Sequence, residues 1–286
     1  APAPSAPTAE RPGWLLRLHR IEDGVNLAFL VLMALLPLLE IVLRPLGTNL
    51  PGSVQYVSIL TLWVGFSGAL LAARDGGLRS LSTGAQCLKG RWEQGARLFT
   101  TAVAVGITAL LAYGAYITLG AERMSTETVP PNIPAWIFVI AMPLGYGLIA
   151  ARMVFTRITG WPQRLLILAV VAAALYAGSL AEWETAEAAL WPLLVLVLLS
   201  TALGSPIYVA LGGAAVILFW ADDEPIAAVA AETMRQIKSP IMPTIPLFTF
   251  TGYLLAKSEA SHRLVRVFQA AFGWMPGGLA LMTAGV

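Results

Sequence analysis

Apolar residues in this chain gather in long continuous runs rich in Leu, Ala and Val. Nowhere do they alternate with period two over about ten residues, as the strands of a membrane barrel would. A spanning helix needs about 20 mostly apolar residues, because the hydrocarbon layer is about 30 Å thick and a helix rises about 1.5 Å per residue. Five runs meet that length: Val25 to Leu43, Val54 to Ala73, Phe99 to Leu119, Ala135 to Phe155 and Arg164 to Leu180. The pattern therefore predicts an all-α polytopic membrane protein with at least five transmembrane helices.

Beyond the fifth run the pattern changes. From Ala189 to Trp220 the chain is apolar but is cut by Gly204-Ser205-Pro206. Proline removes a backbone donor and clashes one turn back, so this is either one long tilted helix or two short segments. Asp222, Asp223 and Glu224 follow, then an amphipathic stretch through Lys238. Pro240, Pro243 and Pro246 lead into a short run from Leu247 to Leu255, which predicts a broken element. Gly273-Trp274-Met275-Pro276-Gly277-Gly278 reads as a turn opening another apolar span, Leu279 to Val286, that stops in mid-course, so the chain reads as truncated there. The small, proline-rich start from Ala1 to Pro7 reads as a disordered tail and not a signal peptide.

Composition supports the membrane reading. With 57% hydrophobic and 12% charged residues and a mean hydropathy of +0.74, too little polar surface exists to cover a water-soluble domain. A net charge of +2 is too small for nucleic-acid binding. The placement of the cations matters more than their number, because short loops that carry Lys and Arg stay in the cytoplasm. Arg11, Arg17 and Arg20 precede the first run. Arg74, Arg79, Lys89, Arg91 and Arg97 separate the second from the third, and Arg152, Arg157 and Arg164 surround the turn from fourth to fifth. The intervening loops hold only Arg44 and Arg123, and Glu182, Glu184 and Glu187 follow the fifth run. This places the N-terminus inside. Every tryptophan except Trp63 falls near a run's end, where an amphipathic ring prefers the interface. Cys87, the single cysteine, excludes an internal disulfide and suits a reducing side of the membrane.

Little in the sequence supports catalysis. His19 and His262 are the only histidines, and neither stands at a paired metal spacing. There is no Gly-x-Ser-x-Gly elbow, no phosphate-cradling loop ending in Gly-Lys and no Cys-x-x-Cys, which argues against an enzyme or an ATP-driven pump. Glu40 is the acid nearest a span's interior, a default functional candidate. Its position four residues before Arg44 predicts instead an ion pair or interfacial snorkelling. Pro37 and Pro143 predict static kinks, and the pairs Gly65 with Ala69 and Ala141 with Gly145 predict close helix contacts. The segment Gly76 to Gln94 is either an amphipathic surface helix or a plain basic loop. Asp222, Asp223 and Glu224 read as a solvated turn, with a cation or partner contact as the alternative.

Several stretches together resemble a known family. Ile-Pro-Leu-Phe at 245 to 248, Thr-Gly-Tyr-Leu-Leu at 251 to 255 and Gly-Trp-Met-Pro-Gly-Gly-Leu-Ala at 273 to 280 resemble the start of the large permease subunit of tripartite ATP-independent periplasmic (TRAP) transporters. Gly204-Ser205-Pro206-Ile207-Tyr208-Val209-Ala210-Leu211-Gly212 resembles that subunit's first helix region. The first 160 residues resemble the four-helix small subunit, most visibly in Leu62-Trp63-Val64-Gly65-Phe66-Ser67-Gly68-Ala69 leading into Arg74. Two positions depart from the family's pattern: Gln55 stands where glutamate is common, and Leu78 where a histidine often follows the arginine. These bear on subfamily, not class.

The resemblance implies a division into a cytoplasmic tail (1–21), a small-subunit-like bundle (22–160), a linker helix and outer loop (161–188), and the start of an elevator-type large subunit (189–286). The linker helix would reconcile a four-helix part that ends inside with a large subunit that begins outside. The resemblance further implies sodium-driven uptake of small organic anions across the bacterial inner membrane, handed over by a periplasmic solute-binding protein. Substrate and ion sites would lie in hairpins beyond Val286, with Gly204, Ser205 and Pro206 as a backbone break near the transport path. The competing readings are a non-transporting scaffold subunit and a lipid-modifying membrane enzyme; the second would need polar residues clustered at one membrane depth.

Overall fold

The computed structural model describes residues 13–47, 51–74, 90–126, 128–129, 132–157, 160–180, 186–239 and 241–259, with 263, 265–267 and 269–270. The elements are α1 (Gly13–Leu43), a single 3-10 turn (Arg44–Leu46), α2 (Ser53–Arg74), α3 (Arg91–Met124), a hairpin of β1 (Thr128–Val129) and β2 (Ile133–Pro134), α4 (Trp136–Val139), α5 (Ala141–Arg157), α6 (Trp161–Leu180), α7 (Ala186–Ala202), α8 (Ile207–Ala221), α9 (Ala227–Ile237) and α10 (Thr244–Lys257). The strands are antiparallel, with Thr128 opposite Pro134 and Val129 opposite Ile133. The molecule is an all-α polytopic membrane protein. Among the described residues four helices are long and apolar enough to span: Arg17–Leu46, Ser53–Arg74, Trp92–Met124 and Trp136–Thr156. They coincide with the first four predicted runs, and the 20-residue α6 coincides with the fifth.

The chain forms two compact units, Ala1–Ser239 and Pro240–Val286. In the first, α3 is the axis and α1 is peripheral: half of the apolar window of α3 is buried, against 6% of that of α1. Around α3, Ala104, Ile107 and Leu111 pack with Ile149 and Met153 of α5, Ile167 of α6, Val197 of α7 and Val209 of α8. A second cluster joins Leu62, Ala115, Leu119, Val139, Met142 and Ala230. The outer side of α1 exposes Leu27, Val31, Leu35, Leu38 and Leu39. Such a surface is tolerable because its solvent is lipid.

Small residues set the closest approaches. A Cβ added at Gly145 would lie 2.1 Å from the Phe66 ring, so α5 and α2 meet there as the Ala141/Gly145 spacing predicts. Gly65 makes no such contact; a Cβ there would meet nothing within 4 Å. A Cβ at Gly114 would lie 2.6 Å from the Ile226 carbonyl oxygen, and one at Gly213 2.6 Å from Ile107, which brings α9 and α8 against α3.

The prolines behave differently from one another. Helix α1 runs through Pro37 uninterrupted. Pro143 has no amide to donate to Val139, one turn back, and the fourth span divides at Ile140 into α4 and α5. Between 189 and 220 the structure contains two short helices, not one tilted helix. α7 and α8 pack side by side as an antiparallel hairpin, with Val197 against Gly213. In the second unit the predicted broken element is corrected to the continuous 14-residue α10. Pro243 is its N-cap and Pro246 lies in its first turn, where a missing N–H costs nothing.

Candidate functional site

Three places combine polar groups from different helices. The first is the turn between α7 and α8. Gly204 has φ +113°, a conformation that favours glycine, and its amide donates to the Thr201 carbonyl at 3.0 Å. The Ser205 amide donates to the Ser200 carbonyl at 2.9 Å, and the Ser205 hydroxyl, fully buried, donates to the Thr100 carbonyl at 3.0 Å. Pro206 then caps α8 with φ −59°. Along the same seam Tyr208 Oη lies 3.1 Å from Thr108 Oγ1 and 3.1 Å from Met153 Sδ. Gly204, Ser205 and Pro206 are thus brought together as a turn packed on α3, with their named polar groups used within the protein. Interhelical bonds of this kind are the adhesive of a bundle in lipid, where apolar burial supplies no driving force.

The second place joins α1 to its neighbours. The Arg74 guanidinium lies 2.8 Å from Asp23 and 3.5 Å from Glu22 Oε2, and donates to the His19 carbonyl at 3.4 Å. Arg152 of α5 contacts Glu22 Oε1 at 2.7 Å and the Leu70 carbonyl at 2.8 Å. The pairing continues along α1. Asn26 accepts from Ser67 at 3.0 Å, Phe29 packs on Trp63 with ring centroids 5.6 Å apart, Met33 faces Thr61, and Glu40 accepts from Ser53 at 2.6 Å. These positions step by three, four or seven residues, the spacing of a helix seam. Glu40 therefore has Ser53 as its partner, not the predicted Arg44. Glu22 and Asp23 went unrecognised in the sequence, although two carboxylates directly before an apolar run could have been matched to arginines at the same membrane depth.

The third place is a cavity of about 550 Å³ where α2 begins and α3 ends, lined among others by Gln55, Ser58, Leu62, Glu122, Phe138 and Lys238. Beside it, the Arg123 guanidinium stacks 5.0 Å over the Trp136 ring. Asp222, Asp223 and Glu224 form an exposed turn closed by the Glu224 amide on the Phe219 carbonyl at 2.9 Å. His19 contributes its backbone carbonyl, and among the described residues no group of three His, Cys, Asp or Glu is placed to hold a metal. Cys87, His262, most of the segment 76–94 and the motif at 273–280 lie outside the described residues.

A bundle of long lipid-facing helices, joined by polar seams and carrying a short helical hairpin, defines a polytopic α-helical membrane protein. Residues 33–163 match the family model for the DctQ component of tripartite ATP-independent periplasmic transporters, and residues 193–286 match the model for the DctM component. The chain belongs to the TRAP transporter permeases and joins small- and large-component sequence in one polypeptide. It is 32% identical over 164 residues to the isethionate TRAP transporter permease protein DctMQ of Oleidesulfovibrio alaskensis, over 54% of this chain and 25% of that protein. The match thus spans about a quarter of the relative's length. No solved structure matches the chain significantly.

Proposed function

We propose that this permease component serves sodium-driven import of small organic anions across the bacterial inner membrane, with its N-terminus in the cytoplasm. The observation that carries the reading is the presence of both component matches in one chain, separated by α6. A periplasmic solute-binding protein would deliver the anion, a carboxylate or, by analogy with the isethionate relative, a sulfonate. Substrate and sodium are held by half-helix ends and unwound backbone, which bind anions and cations without a fixed enclosed charge. In this reading the chain carries no catalytic role.

The test is uptake of radiolabelled carboxylates and sulfonates in cells expressing the native reading frame with its neighbouring binding protein. Accumulation should require both the binding protein and external sodium. Uptake that proceeds in potassium alone would remove sodium coupling, and no uptake of any organic anion would favour the scaffold reading.

A further inference from the structure

We propose that the cavity between α2, α3, α4 and α9 holds one zwitterionic phospholipid, its ammonium on Glu122 and its phosphate on Lys238. Three observations converge. Depth is the first. The lining includes Ser53 and Val54 in the first turn of α2, Glu122 in the last turn of α3 and Ala135 directly before α4. Three candidate spans therefore end together at this site, and span ends lie at headgroup level. The cation–π pair of Arg123 and Trp136 stands at the same ends, where amphipathic rings settle.

A gradient along the wall is the second. Going inward on α2, Ser53, Val54, Gln55 and Ser58 give way to Ile59 and Leu62, and Phe138 and Val139 carry the apolar wall along α4. An amphiphile fits such a wall, with its polar end outward and its methylenes inward; a water-soluble anion or a hydrophilic peptide does not. Charge is the third. The lining holds one acid and one base, and Glu122 has no side-chain ion pair among the described residues. Lysine offers three donors, enough for a phosphate beside another partner. The volume of about 550 Å³ admits the headgroup, the glycerol and the first methylenes, with the rest of the acyl chains lying in the bilayer. The inference does not depend on the transport reading, nor on which side of the membrane the site faces.

The experiment is purification of the chain in mild detergent, with retained lipid counted by native mass spectrometry and by extraction. Wild type should retain phosphatidylethanolamine several-fold over phosphatidylglycerol, relative to their ratio in the host membrane. Glu122→Gln should abolish that preference while lipid is still bound. Lys238→Gln should lower retention of both lipids. Gln55→Trp, at the exposed mouth, should expel lipid of either headgroup, and an unchanged melting temperature in each variant shows that the bundle is intact. Wild type that retains no lipid, or variants that keep the same amount and headgroup ratio, would overturn the proposal and leave the cavity to a polypeptide.

Discussion

Arg152 of α5 reaches Glu22 of α1 at 2.7 Å while its other nitrogen donates to the Leu70 carbonyl of α2 at 2.8 Å, so one side chain ties three helices. Arg74 approaches the same carboxylate from α2. Glu22 is the hub: α1 buries little apolar surface in the bundle, and its position rests on this charged end and the polar seam above it.

Replacing Arg152 by Ala should therefore lower stability by about 2 kcal/mol, within the range for charge-assisted bonds in partly buried sites. Thermal unfolding in detergent measures it. Glu22→Gln in the same background should cost less than it does in wild type, because the carboxylate left without Arg152 is then gone. Strictly additive losses would show that the two side chains do not interact.

Gly145 faces the Phe66 ring, which is itself held edge-on by Tyr146 at 4.9 Å and 86°. Gly145→Ala should destabilise the bundle by about 1–3 kcal/mol through overpacking. Phe66→Leu should relieve part of that loss. Gly65→Ala, where open space awaits a Cβ, should be close to neutral in the same assay.

Gly204→Ala should strain the α7–α8 turn, because an L residue at φ +113° costs on the order of 1–3 kcal/mol. Hydrogen exchange in detergent should report faster opening of α7 and α8 than of α2. Equal protection in variant and wild type would mean that the turn adopts another conformation.

The Glu232 carboxyl on α9 is held below the usual carboxylate range by hydrogen bonds from Arg235 and Gln236. A depressed folded value means that the pair's support of α9 is complete above the ordinary carboxylate value and is lost as pH falls through the lower folded one. Carboxyl-carbon NMR titration should show the depression, and Arg235→Ala should move Glu232 back toward the ordinary range. The pair is exposed, so added salt should weaken it.

Much of the architecture was legible from one dimension, since a bilayer imposes a single length and a single polarity on every span. The apolar runs located α2 and α6 to within a few residues, fell inside the longer α1 and α3, and ran together α4 and α5, while Gly204-Ser205-Pro206 marked an interruption. Whether that interruption was a kink or a reversal could not be read, because both need the same residues; packing of Gly213 on Val197 and Ile107 decided it. Pro243 and Pro246 looked like breakers but open a helix, since proline's effect depends on whether its missing amide falls in the first turn or the interior. Glu40 was paired with its neighbour in sequence, while the fold offered Ser53 from the facing helix.

The sequence by itself determined that this chain lives in lipid and where its spans lie, because those follow from residue type counted along a line, and its family through likeness to the two component models. The tertiary structure alone decided which carboxylate meets which arginine and which glycine admits which ring. It also decided that α2, α3, α4 and α9 leave a cavity where α2 and α4 begin and α3 ends. Those are contacts between residues tens of positions apart, and in lipid they depend on close fit and hydrogen bonding, which leave no periodic trace in the sequence.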